Sequence, residues 1–268
     1  MSEELINKVL AEVVKKMGGD GPAPSAAPAP APTPAAGALP AVTEFVGTNV
    51  LGDTIGMVIA NVDPKLRAMM KLEKDFRSIG ILGARTGAGP HIFAADEAVK
   101  ATNSEILTIE LPRDTKGGAG HGSLIIFGAE DVSDARRAVE VSLGELDRTF
   151  GDVYGNDAGH LEFQYTARAS YALNKAFGAP IGKAFGITVG APAGIGVVLA
   201  DTAVKAATVD VIGYASPAGG TSYSNEVISF LSGDSGAVRQ AIIAAREVGI
   251  PLLGALGAKP ESTTTPYI

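Results

Sequence analysis

The sequence contains no cysteine. Disulfides, thiolate metal sites, iron–sulfur clusters and cysteine nucleophiles are therefore excluded, and a reducing compartment is expected. Histidine is scarce. His91, His121 and His160 show neither H-x-x-x-H nor H-E-x-x-H spacing, and a metal site needs several convergent ligands, so no metal is expected. Basic charge is in deficit: 22 Lys and Arg stand against 29 Asp and Glu, a net charge of −7. That balance argues against nucleic acid as a partner. Met1-Ser2-Glu3-Glu4 is acidic where a signal peptide would be basic, so none is expected. One long uncharged run exists, Ala184 to Ala200, near the lower limit of about 17 residues for a membrane span. Gly186, Gly190, Pro192, Gly194 and Gly196 interrupt it, which predicts a strand, a turn and a helix start, and no membrane span.

The 268 residues are 46% hydrophobic and 19% charged, ordinary for a globular protein and enough for two domains of about 100 residues each. Residues 1–17 read as an amphipathic helix, with Leu5, Ile6, Val9, Leu10 and Val13 recurring on one side. Gly18-Gly19 stops it. Residues 18–41 are dominated by Ala, Pro and Gly, a composition that forms an extended linker and no core. A short helix on a spacer suggests a docking peptide. The plainer alternative is a helix folded back on its own domain.

From Val42 onward the chain repeats itself. Ala95-Asp-Glu-Ala-Val-Lys-Ala-Thr102 matches Ala200-Asp-Thr-Ala-Val-Lys-Ala-Ala207 at an offset of 105. Asp131, Arg136, Ala138 and Val139 match Asp234, Arg239, Ala241 and Ile242 at 103. Ile79 to Ala84 is matched to Gly186 to Ala191 at 107. Length changes fall in loops, as duplication requires. Each copy reads as strand, helix, strand, helix, strand, Gly-rich loop, strand, helix, with the first helix of the first copy at Pro64 to Phe76 and the last helix of the second at Ser235 to Val248. The domains are expected at 42–152 and 153–268, each a small mixed sheet flanked by helices, an α/β composition arranged as an α+β sandwich.

The repeat also screens motifs. Gly233-Asp-Ser-Gly236 imitates a serine-protease nucleophile segment, but the other copy reads Glu130-Asp-Val-Ser133. Both copies keep an Asp at a strand-to-helix junction, which predicts a helix N-cap. Gly83 to Gly89 lies between strand and helix, as a phosphate loop would. It lacks Gly-Lys-Ser/Thr, and a tight turn is expected. Lys100 and Lys205 share one repeat position near a helix C-terminus, either solvated there or forming a shared edge contact. The loops Pro112 to Gly122 and Ser216 to Ser224 are rich in Gly, Ser and Thr. They read as flexible surface or as a polar aperture, with Asp114, Thr115, Lys116, Gly117, Gly118, His121, Gly219, Gly220, Thr221 and Ser222 as candidate lining.

Asp201 to Tyr214, the Gly-rich loop and strand after it, and Gly233 to Ala241 together resemble the bacterial microcompartment shell domain. Two copies in one chain resemble its tandem-domain, trimer-forming members. Arg85 to His91, Leu111 to Gly122 and Thr149 to Tyr154 resemble the propanediol- and ethanol-utilisation subgroup, and the likeness covers Val42 to Ile268. The resemblance implies circularly permuted domains and a homotrimer mimicking a hexamer. It implies tiling with other shell proteins around encapsulated enzymes in the cytoplasm. It also implies edge contacts at Lys100 and Lys205, cargo attachment through the N-terminal segment, and passage of small polar metabolites through the Gly-rich loops or through openings within or between subunits. No catalytic residue and no cofactor is expected. The alternative is a trimeric regulatory module that binds a small molecule without assembling shells. An acyl- or phosphoryl-transfer enzyme finds no convergent acid, base and nucleophile.

Overall fold

The computed structural model describes residues 42–72, 74–112, 121–218 and 225–268. Two antiparallel sheets form, one from each repeat. The first holds β1 (Phe45–Asn49), β2 (Thr54–Ile59), β3 (Ser78–Ala84), β4 (Glu105–Glu110) and β5 (Ser123–Ala129), in the order β1-β2-β3-β5-β4. Its helices are α1 (Pro64–Met70), α2 (Ala88–Ala101) and α3 (Val132–Thr149). The second holds β6 (Val153–Asn156), β7 (Gly159–Thr166), β8 (Ala184–Ala191), β9 (Asp210–Ala215), β10 (Val227–Gly233) and β11 (Glu261–Ser262), in the order β11-β6-β7-β8-β10-β9. Its helices are α4 (Tyr171–Phe177), α5 (Ala193–Ala206) and α6 (Ser235–Gly254).

The α+β architecture of two repeated sheet-and-helix units agrees with the sequence reading, but the mixed sheets do not. β3 and β4 run parallel, as a strand–helix–strand unit dictates, yet β5 lies between them and pairs antiparallel with both. The second sheet does the same with β8, β10 and β9. The uncharged run divides into β8 and α5 as expected, and among the described residues no helix is long and apolar enough to cross a membrane.

Other boundaries shift. Helix α1 was expected to reach Phe76. It stops at Met70 because Lys71 takes a left-handed φ of 52°. Helix α6 continues past Val248 to Gly254 with Pro251 inside it. The short strands β1, β6 and β11 were not foreseen. The β3 to β8 offset is 106, not 107. Gly80 and Gly186 occupy the same place, because a Cβ at either would strike the covering helix. It would lie 2.8 Å from Val139 Cγ2 at Gly80 and 2.9 Å from Ile242 Cδ1 at Gly186. A one-residue slip would turn every side chain to the other face.

The main core crosses from one repeat to the other. Leu82, Ile92, Phe93 and Phe127 of the first pack in one cluster with Ala172, Leu173, Phe185 and Ile187 of the second. Phe93 stacks on Phe185 with centroids 5.9 Å apart, and Phe177 stacks on Phe230 at 5.0 Å. Aromatic pairs at such spacing add to area burial.

Candidate assembly faces and the seam between repeats

The seam between the repeats sets α2 and β4 of the first against α4 and β7 of the second. Ile92 and Phe93 on α2 are buried there, as are Ala172 and Leu173 on α4. The anchor is Asp96. Its carboxylate accepts from the backbone N–H of Ser170 at 3.0 Å and of Leu173 at 3.2 Å. It thus satisfies free amides at the start of α4, which has no side-chain cap of its own. Burial raises the Asp96 pKa, while Lys100 and these amides favour its charged form.

Duplication supplies the same faces again, uncovered. Val197 and Val198 on α5 stand where Ile92 and Phe93 stand on α2, and are 50% and 42% exposed. On β9, Val211 and Tyr214 are exposed where Ile106 and Ile109 on β4 pack against the seam core. Leu66 on α1 is 49% exposed, while its counterpart Leu173 is 0%. Contiguous exposed apolar residues mark interaction surfaces. The chain therefore carries one satisfied seam and two uncovered faces that correspond to its halves.

The satisfied seam also buries a polar group. His160 and Glu162 project from β7, and Glu226 precedes β10. His160 Nε2 and Glu226 Oε2 are hydrogen-bonded at 3.2 Å. His121 Nδ1 lies 4.0 Å from Glu226 Oε1. Burial pushes the Glu162 carboxyl up to about 8, with His160 lowering and Glu226 raising it. For His160, burial opposes the charge, but the Glu226 hydrogen bond and the two carboxylates outweigh it and raise its pKa. Glu162, Glu226 and His121 line a cavity of about 60 Å³ with Gly89 and Phe177. His160 also lines a wider depression of about 590 Å³ with Gly52, Thr86 and Asn156. His160 on the depression is thus hydrogen-bonded to Glu226 on the cavity.

None of this group except His121 was a sequence candidate. His160, Glu162 and Gln164 alternate with Leu161 and Phe163 along β7. Such a pattern reads as a solvent-facing edge, and only the packing of the first repeat covers it. The remaining pore candidates, Asp114, Thr115, Lys116, Gly117, Gly118, Gly219, Gly220, Thr221 and Ser222, lie outside the described residues, as do the docking candidates Leu5, Ile6, Val9, Leu10 and Val13.

The structure separates the two matched lysines. Lys100 Nζ sits 3.0 Å from Asp96 and 2.9 Å from Glu97, its side chain 24% exposed. Lys205 Nζ meets Asp201 at 2.7 Å, its side chain 73% exposed. Asp131 and Asp234 occupy N-cap positions, but neither side chain makes a capping hydrogen bond. Their backbone carbonyls accept instead, from Ala135 and Val238, so the repeated Asp marks the junction without side-chain capping. Ser235 Oγ is hydrogen-bonded to the Tyr165 hydroxyl at 2.5 Å. In the turn after β3, Arg85 and Thr86 donate their amides to the Gly52 carbonyl, and Ala88 donates to the His121 carbonyl, so these three amides are engaged within the protein. His91 is bound by Thr54 Oγ1 and the Gly87 carbonyl, and burial lowers its pKa to about 4. It is a neutral structural residue. Among the described residues no cluster is suited to a metal ion.

Comparison with known proteins extends the repeat. The BMC domain matches residues 78–156 and 184–257. The chain is 62% identical to the bacterial microcompartment shell protein PduB of Citrobacter freundii, over 100% of this chain and 99% of that one. It is 63% identical to PduB of Salmonella typhimurium over the same shares. Among solved structures, a trimeric bacterial microcompartment shell protein PduB aligns with a TM-score of 0.82 at 54% identity, covering 85% of this chain and 100% of that one. EtuB from Clostridium kluyveri aligns with a TM-score of 0.81 at 57% identity, with the same coverage.

Proposed function

The chain belongs to the BMC domain family of bacterial microcompartment shell proteins, and from that premise we propose how its repeats build a tile and where solutes cross it. It is a trimeric shell protein with a structural role and no catalytic one, resident in the shell of a cytoplasmic microcompartment of the propanediol-utilisation type. The α5 and β9 face of one protomer docks on the α1 and β2 face of the next. The observation that carries this is the pairing of exposures, with Val197, Val198 and Leu66 open wherever Ile92, Phe93 and Leu173 are closed. Three such contacts alternate with three seams inside chains and complete a pseudohexameric ring.

The two kinds of seam differ in chemistry. At the strand positions of Glu162 and Glu226 the first repeat has Ile55 and Gly122. The contact between protomers therefore lacks the buried carboxylates, and passage of small polar metabolites is assigned to the seam within each chain. Its carboxylates and imidazoles can replace water around hydroxyl groups. His121 stands at its wall, where the first Gly-rich loop returns to β5. The loop residues Asp114 to Gly118 and Gly219 to Ser222 are proposed to line the approaches.

Lys100 and Lys205, at equivalent helix C-termini beside the seams, are proposed to contact neighbouring shell proteins. The segment 1–17, on its linker 18–41, is proposed to hold encapsulated enzymes, and 42–152 and 153–268 are read as the two permuted domains. Electron microscopy of the purified protein with hexameric shell proteins tests the tile, and flat sheets or closed shells are the expected result. A dispersed monomer at high concentration would sink it. Tight, saturable small-molecule binding without assembly would favour a regulatory module. Deleting residues 1 to 41 should leave trimers and sheets intact and release cargo. If the rest of the chain then fails to fold, the docking role is wrong.

A further inference from the structure

The charges beside the seam have been redistributed between the repeats. Within the chain, Lys100 is held by two carboxylates of its own helix, Asp96 and Glu97. Arg148 adds a second cation, 3.7 Å from Glu97. At the same positions of the second repeat, Asp201 and Lys205 remain, but Thr202 replaces Glu97 and Pro251 replaces Arg148. One acid and one base are missing.

Both reappear on the face proposed to dock there. Asp96 reaches the amides of Ser170 and Leu173. The α1 counterparts of Ser170, Ala172 and Leu173 are Asp63, Lys65 and Leu66. Where the seam within the chain meets Ser170 and buried Ala172, the α1 face presents a carboxylate and an ammonium. Lys100 lies two hydrogen-bond lengths from the Ser170 amide, through Asp96. Docking with the same geometry would bring Lys205 close to Asp63 of the partner subunit.

Resting on the protomer contact proposed above, we infer that a crosswise ion-pair group seals the joint between protomers. Lys205 of one subunit is shared between its own Asp201 and Asp63 of the partner subunit, its third donor left for a neighbouring shell protein, and Asp201 is neutralised in turn by Lys65 of the partner subunit. The group is completed only when the second copy docks. Within one protomer Asp63 accepts from its own Lys65 and Leu66 amides, at 2.9 and 3.1 Å, so the helix start that carries it is ordered before docking. Unpaired charges buried in this joint would penalise wrong registers, which is how charged interface groups confer specificity.

A double-substitution cycle on the full chain tests the pairing. The readout is trimer dissociation on dilution, followed by sedimentation velocity at a urea concentration that half-dissociates the unsubstituted trimer. Lys205→Gln and Asp63→Asn each leave one charge unbalanced, and Asn still serves as an N-cap, so α1 keeps its start. Each single change is expected to raise the dissociation concentration about tenfold, and the double variant to return within about threefold of the unsubstituted protein. Losses that multiply in the double variant, or singles with no effect, overturn the pairing. Val198→Asp separates this from the contact itself. If Val198→Asp leaves trimers intact, the docking face is wrong. If it disperses them while the cycle shows no coupling, only the ion-pair group is wrong.

Discussion

Phe93 and Val198 occupy one position of one repeated domain, yet Phe93 is 1% exposed and Val198 is 42% exposed. The same holds for Leu173 against Leu66. Nothing local separates the members of each pair, since both lie on helices of equal length leaving equivalent strands. The difference lies in what covers them. For Phe93 and Leu173 the covering face comes from the other repeat of the same chain. For Val198 and Leu66 the proposed cover is another molecule. A duplicated domain is thus half of its own interface, and the satisfied seam serves as a template for the unsatisfied one.

The largest effects should come from charging this position. Phe93→Asp buries an unpaired carboxylate in the shared core, which costs several kcal/mol, and should prevent folding, as read by circular dichroism. Val198→Asp should leave a folded chain that sediments as a monomer. If both variants fold and form trimers, the two faces are not equivalents. The next contrast is milder. Leu173→Ala should lose about 2–5 kcal/mol in urea unfolding, the range for a buried leucine. Leu66→Ala should change the isolated protomer by less than about 0.5 kcal/mol and show its cost only in trimer dissociation. Equal losses in the protomer would contradict the exposure difference.

A third contrast sets Glu162 against its counterpart Ile55. In the fold Glu162 keeps its proton to about 8, against 4.5 for the free group. Folding therefore takes up a proton between those values. The stabilisation is complete below pH 4.5 and is lost as pH rises through 8. Raising the pH across that window should lower stability, and Glu162→Gln should flatten the profile. Replacing Ile55 by Val should leave it unchanged. The smallest effect concerns Ser235. Ser235→Ala removes one hydrogen bond to Tyr165 and should cost about 1 kcal/mol or less, measured by thermal unfolding, because that bond is exposed.

The element order was legible because both copies carry the same periodic apolar pattern, so each supports the reading of the other. Even there β1, β6 and β11 escaped, being too short for periodicity to register, and the β3 to β8 match slipped by one residue. Glycine identity alone did not fix that register; the approach of Val139 and Ile242 did. The polar group in the seam was the larger omission. Glu162 alternates with Leu161 and Phe163 as a solvated residue would, and its burial depends on residues from the other repeat, such as Gly89 and Leu111. The matched pair Lys100 and Lys205 was visible as a pair, but their unlike surroundings were not.

By itself the sequence determined that the chain is one domain written twice, with no thiol chemistry, because these follow from residue identity and order. Tertiary structure alone decided which copy of each face is closed, which polar side chains are enclosed, and which lysine is already held by two acids. Those properties depend on what packs across a surface, and two identical local patterns acquire different surroundings when only one finds its complement in the same chain.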